Sequence, residues 1–180
     1  LSLSTNATLF KEKVTGFEKL ELTGAPAAAA TVNVGNLGFN YVIATSTSTA
    51  TIIQDIANKG TVELNASSLA NLATINVKDA ALAASTADEL NLVLNATAAA
   101  GEHVGTITVA NVETINISTV DLDADEKLDA ETTLTLVATA AKTVNVSGSA
   151  DLDLVMTGNT AATLIDGSTM TGNLTVSALN

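Results

Sequence analysis

Cysteine, arginine and tryptophan are absent, and proline and histidine each occur once. Without Cys there is no disulfide frame and no thiolate to act as nucleophile or metal ligand. The single His, His103 in Gly101-Glu102-His103-Val104-Gly105, excludes a His-rich transition-metal site and is the only base a Ser–His–Asp triad could use. No Ser sits in a nucleophile-elbow context, and His103 reads as an exposed loop residue. Seven lysines stand against 19 acidic residues, giving a net charge of −12. Phosphate recognition needs clustered Lys and Arg, so the charge argues against nucleic acid and disfavours an anionic membrane surface as partners, while metal cations suit it. Aromatic residues make up 2% of the chain, too few to wall a deep pocket. No apolar run reaches the ~20 residues of a membrane-spanning helix.

What is present is a short phrase, apolar-polar-apolar, repeated along the chain among Thr, Asn, Ala and Gly. It reads Leu20-Glu21-Leu22, Val32-Asn33-Val34, Val62-Glu63-Leu64, Ile75-Asn76-Val77, Ile107-Thr108-Val109, Ile115-Asn116-Ile117, Leu134-Thr135-Leu136, Val144-Asn145-Val146, Leu152-Asp153-Leu154 and Leu174-Thr175-Val176. Strand side chains alternate between faces, so each phrase buries its outer pair and shows its centre to water. Hydrophobic residues reach 47% and charged ones only 14%, enough to order the chain around a core of Val, Ile, Leu and Ala. Steps of about 20 residues between phrases (115, 134, 152, 174) predict a rung of two short strands that cannot bury its face alone.

The fold class predicted is therefore all-β, a parallel β-solenoid or β-helix with one or two short helices. The runner-up is an antiparallel β-sandwich, whose hairpins need turn signals; only Asp166-Gly167 offers one. Ile52, Ile53 and Ile56 share one helical face, which predicts a helix over 48–59 capped by Gly60. The Ala-rich stretch 79–90 predicts a second short helix, and 123–131 a helix or an ordered acidic loop. Pro26 marks a turn, and no linker interrupts the chain, so residues 1–180 read as one domain, expected to be a segment of a longer protein.

The sharpest local chemistry is acidic. Asp121, Asp123 and Asp125 match positions 1, 3 and 5 of a helix–loop–helix calcium loop, and Asp129 falls at position 9. Glu126 stands where that loop needs Gly, and Thr132 stands at position 12 with Glu131 one residue early, which excludes the standard loop. A looser Ca²⁺ site of Asp121, Asp123, Asp125, Asp129 and Glu131 remains. Asp151 and Asp153 form a second alternating pair, with Asp166 one turn later; parallel rungs would bring such carboxylates within about 4.8 Å of their neighbours, where a cation relieves the repulsion.

The stretches Val112 to Ser118, Leu134 to Gly148 and Leu164 to Val176, and more thinly Phe17 to Gly24, resemble bacterial S-layer proteins of the RTX-related, type I-secreted kind, such as the surface layers of Caulobacter and Campylobacter. The resemblance implies a calcium-stabilised, right-handed parallel β-solenoid that assembles on the outer membrane after export by a C-terminal signal. The glycine-rich nonapeptide of RTX repeats is missing, so calcium would be held by irregular loops such as 121–131. The expected function is a structural, non-enzymatic subunit of an extracellular array on the bacterial cell surface. Its expected partners are copies of itself and cell-surface polysaccharide. Two other readings stay open. An adhesin stalk would repeat this unit in tandem beneath a ligand-binding tip, and a β-helical polysaccharide-processing enzyme would turn over polysaccharide through Asp151 and Asp153.

Overall fold

The computed structural model describes residues 15–23, 30–45, 51–65, 72–96, 102–122 and 131–177. Strands alternate between two seven-stranded sheets as the chain advances. The first sheet holds β1 (Leu20–Leu22), β3 (Tyr41–Ala44), β5 (Gly60–Asn65), β7 (Glu89–Ala96), β9 (Thr114–Asp121), β11 (Thr143–Gly148) and β13 (Leu164–Met170), in that order. The second runs β2 (Ala30–Asn33), β4 (Thr51–Ile56), β6 (Leu72–Val77), β8 (Glu102–Val109), β10 (Glu131–Val137), β12 (Asp151–Met156) and β14 (Leu174–Ser177). Every pairing is parallel. Two parallel sheets threaded alternately by one chain fit a β-solenoid. The crossings after β1, β3, β5, β7 and β9 lie outside the described residues, so those residues do not close into a continuous coil.

The alternation in the sequence sets this layering. In β7 the burial alternates residue by residue, with Leu90, Leu92, Leu94 and Ala96 fully buried. Parallel register then stacks like on like: Val42, Val62, Leu92, Ile117 and Val146 form one column, and Ile107, Leu136 and Met156 another in the opposite sheet. Both sheets contribute to one main core of Val, Ile, Leu, Ala and Met156, with Ala96 and Ala150 as a small second cluster among the described residues. Burying each Leu or Ile contributes about 1.5–3 kcal/mol, so the columns dominate stability. Every repeated phrase lies within one strand except Val32-Asn33-Val34, where the chain leaves β2 for a helical turn, α1 (Val34–Leu37), with Asn33 as its N-cap and left-handed Gly38 as its C-cap.

The corners leading back to the first sheet also stack. The Asp88 carbonyl accepts the N–H groups of Glu113 and Thr114, the Glu113 carbonyl those of Lys142 and Thr143, and the Lys142 carbonyl those of Thr163 and Leu164. Buried Asn159 serves the corner after β10, accepting the Ala138 N–H at 2.5 Å and donating to the Leu136 carbonyl at 2.9 Å.

Several expectations are corrected. The antiparallel sandwich fails because every pair is parallel, and Asp166-Gly167 lies inside β13 instead of turning a hairpin. The helix expected over 48–59 is strand β4 from Thr51 to Ile56. Asp55 adopts φ 60°, which shifts the register so that Ile53 and Ile56 both face the core; the helical spacing is that of a bulged strand. Gly60 starts β5 and caps no helix. Residues 79–84 form turns, and β7 begins at Glu89. The helix or loop expected over 123–131, and the turn at Pro26, lie outside the described residues apart from Glu131, which opens β10. The step from 115 to 134 crosses between sheets; true in-sheet rungs run from 20 residues (Val42 to Val62) to 34 (Ile75 to Val109).

Thr132 is 1% exposed and its Oγ1 has no hydrogen-bond partner, whereas Thr119, equally buried, donates to the Ala150 carbonyl at 2.8 Å. Replacing an unsatisfied hydroxyl by a methyl removes a desolvation cost. Thr132→Val is therefore expected to stabilise the chain by about 1 kcal/mol, and Thr119→Val to destabilise it by a similar amount, in paired thermal melts.

Candidate functional site

The outer face of the first sheet carries the most ordered polar array. Asn91, Asn116 and Asn145 are in register on β7, β9 and β11. The Asn91 amide donates to the Lys59 carbonyl at 2.9 Å, Asn116 to Asn91 Oδ1 at 3.0 Å, and Asn145 to Asn116 Oδ1 at 2.8 Å. Each amide spends one N–H along the ladder and has a second to give. Val93, Ser118 and Ser147 form the next outward column, and the two columns line a shallow trough of about 300 Å³ that ends at Thr169. The trough offers hydrogen bonds, carries no charged side chain and has no aromatic wall, which suits a hydroxyl-rich or extended partner lying along it.

Towards the start of the stack the face becomes charged. Glu63 Oε2 accepts the Tyr41 hydroxyl at 2.6 Å and lies 3.7 Å from Lys19 Nζ, while Oε1 accepts the Asn95 amide at 2.9 Å. Asn95 also donates to Asn65, and Lys19 sits 4.1 Å above the Tyr41 ring centre. Burial pushes the Glu63 carboxyl up, but Tyr41, Asn65, Lys19 and Asn95 together outweigh it and hold the carboxyl below its ordinary value. Burial, and then the bond and charge of Glu63, push the Tyr41 phenol up.

The sign of the resulting pH dependence follows. The folded carboxyl binds its proton more weakly than the unfolded one, so the network's stabilisation is complete above the ordinary carboxylate range and is lost as pH falls through the folded value. Melting temperatures of the wild type are expected to exceed those of Glu63→Gln most near neutral pH, and the gap should shrink below about pH 4. A gap independent of pH would show that Glu63 acts by packing alone.

The acidic residues singled out from sequence are only partly brought together. Asp121 closes β9 in the first sheet, with its N–H donating to Ser149 Oγ at 3.2 Å. Asp123, Asp125 and Asp129 lie outside the described residues. Glu131 and Asp151 are direct partners across β10 and β12. Asp151 accepts from the Asn173 N–H at 2.6 Å and its side-chain amide at 2.9 Å. Asp153 lies between Thr133 and Thr175, and Asp166 beside Asn145, so register separates both from the other acids. Among the described residues no three His, Cys, Asp or Glu side chains group closely enough to hold a metal ion. His103 belongs to β8, in register with Thr133, and not to a loop; parallel pairing to β10 recruits it into the sheet.

A second depression, of about 310 Å³, lies at the edge where β4, β6 and β8 end, lined by Gln54, Asp55, Asn76, Asp79 and Asn111 among others. Asp55, Asp79 and Asn111 all take left-handed backbone there, at φ 59–63°. These turns and the asparagine ladder escaped the sequence reading. The ladder's signal was Leu90-Asn91-Leu92, one more apolar-polar-apolar phrase.

No family model, no curated protein and no solved structure matches this chain. Among the described residues no helix is long and apolar enough to cross a membrane.

Proposed function

We propose that this chain is a structural segment of a bacterial extracellular surface array of the S-layer kind, a right-handed parallel β-solenoid whose assembly calcium promotes. The observation that carries the reading is the stacking of parallel columns through both sheets, shifted only at local bulges: apolar columns inside, columns rich in Asn, Ser and Thr outside. Such a stack is a stiff rod with long, repetitive faces, suited to coverage and to contact with neighbouring copies. The right hand is the one that strand twist favours for parallel connections.

The calcium part rests on Glu131 and Asp151, paired on adjacent parallel strands. The strands lie about 4.8 Å apart, and a hard, oxygen-seeking cation would relieve repulsion between carboxylates set on neighbouring strands. Asp121 ends the preceding strand, and the segment from there to Glu131 adds Asp123, Asp125 and Asp129 as further oxygen donors.

The test is thermal unfolding with sedimentation of the same samples, in EDTA and across a calcium titration. Calcium is expected to raise the melting temperature and to drive the chain into large assemblies, and the double variant Glu131→Gln, Asp151→Asn to blunt both effects. An unchanged melt together with a persistent monomer overturns the reading.

A further inference from the structure

One outward column of the first sheet runs the whole length of the stack, and its two ends carry opposite charge. Tyr41, Thr61, Asn91, Asn116, Asn145 and Asp166 are successive register partners from β3 to β13. Lys19, immediately before β1 and over the Tyr41 ring, begins the column. Lys19 is half exposed beyond its contact with Glu63. The Ser168 hydroxyl and N–H hold the Asp166 carboxyl below its ordinary value.

The apolar residues at the two ends match as well. Phe17 precedes Lys19 by two residues, and Leu164 precedes Asp166 by two. They are 68% and 50% exposed, among the few large hydrophobic side chains left in water. Among the described residues β1 and β13 each have a single sheet neighbour and so end the sheet. Because every pairing is parallel, sliding a second copy along the stack axis brings its β1 alongside β13 with strand direction preserved.

We propose that the chain stacks head to tail on a second copy of itself, the β1 edge of one molecule adding to the β13 edge of the next, with Lys19 set against Asp166 and Phe17 against Leu164. The contact is heterologous and leaves a free edge at each end, so it propagates into a linear stack instead of closing as a dimer. The reverse docking of β13 on β13 would set Asp166 against a second acidic edge. The proposal deepens the array reading by naming one contact of the assembly, and it needs no cation.

The experiment is sedimentation velocity of the 180-residue chain over a concentration series, in EDTA and in calcium, with Lys19→Asp and Asp166→Lys prepared separately. Both positions are solvent-accessible, and circular dichroism melts establish that each variant folds. The wild type is expected to associate in EDTA, less strongly as salt rises. Each variant alone puts like charges at both ends and is expected to associate about tenfold more weakly. Mixed in equal amounts, the two variants present opposite charges wherever they alternate, and association should recover towards the wild-type level. Phe17→Ser is expected to weaken association whatever the salt. A mixture no more associated than its components, or a wild type monomeric in EDTA, overturns this contact. If calcium still assembles the variants as it does the wild type, the array reading stands while the end contact falls; if calcium assembles nothing, the array reading falls by its own test.

Discussion

Gly148→Ala is expected to destabilise the chain by about 3 kcal/mol or more, the sum of backbone strain and overpacking. Gly148 ends β11 at φ 120°, a backbone conformation L side chains rarely adopt. A Cβ there would lie 1.9 Å from the Thr119 carbonyl oxygen and 2.6 Å from the Thr119 nitrogen. Neither atom can yield, because both belong to the neighbouring strand β9. The same spot anchors the crossing to β12: the Thr119 carbonyl accepts the Ser149 N–H at 3.1 Å, and the Gly148 carbonyl accepts the Thr171 N–H at 2.8 Å. Pushing Gly148 away from Thr119 therefore breaks bonds to the rungs on both sides. Gly158 is the control, since its φ is 71° but nothing lies within 4 Å of an added Cβ. Gly158→Ala should cost about 1 kcal/mol, so chemical denaturation of the two variants separates strain from collision. Equal losses would mean that the close approach at Thr119 contributes nothing.

Leu92→Ala should cost about 3–4 kcal/mol, the range for emptying a well-packed core site. Leu92 is fully buried, flanked in register by Val62 and Ile117 at the middle of the first sheet. Its neighbours are held by their own ladders and cannot collapse into the gap. A stack of rungs gains stability from nearest neighbours, so a cavity at mid-stack is expected to weaken coupling between the two halves and broaden the transition. Leu92→Met, which nearly conserves volume, should lose less than about 1.5 kcal/mol. Leu20→Ala, at the edge strand β1 and only partly buried, should cost less than Leu92→Ala and leave the transition sharp.

The sequence showed ten strands where a polar residue was framed by two apolar ones. It passed over β7, although Leu90-Asn91-Leu92 carries the same phrase, because the start of that strand falls in the Ala-rich stretch expected to be helical. It missed β3 and β4 and marked β13 only by Leu164-Ile165, for separate reasons. Tyr41-Val42-Ile43-Ala44 puts Ile43 on the outer face, so its alternation is hidden in an apolar run. In β4 the bulge at Asp55 brings Ile53 and Ile56 to one face three residues apart, which imitates a helix. The start of β13 is exposed, so Leu164 and Ile165 carry no clean alternation. Of the acidic residues, alternation marked Asp151 and Asp153 as outward. Sequence could not tell that Asp151 would meet Glu131 while Asp153 would meet Thr133 and Thr175. That depends on rung lengths, and these vary too much for one period to hold along the chain.

Composition and the period of two were enough to determine the all-β class, the core of small aliphatic residues and the polar outer faces, because those follow from which side of a strand each residue occupies. Which residues become neighbours was decided by the tertiary structure alone. Parallel register converts positions 20 to 34 residues apart into contacts, and a shift of one residue would exchange every inward and outward partner. The asparagine ladder, the Glu63 network and the column running from Lys19 to Asp166 all arise from that register, which loop lengths and bulges set and local sequence does not carry.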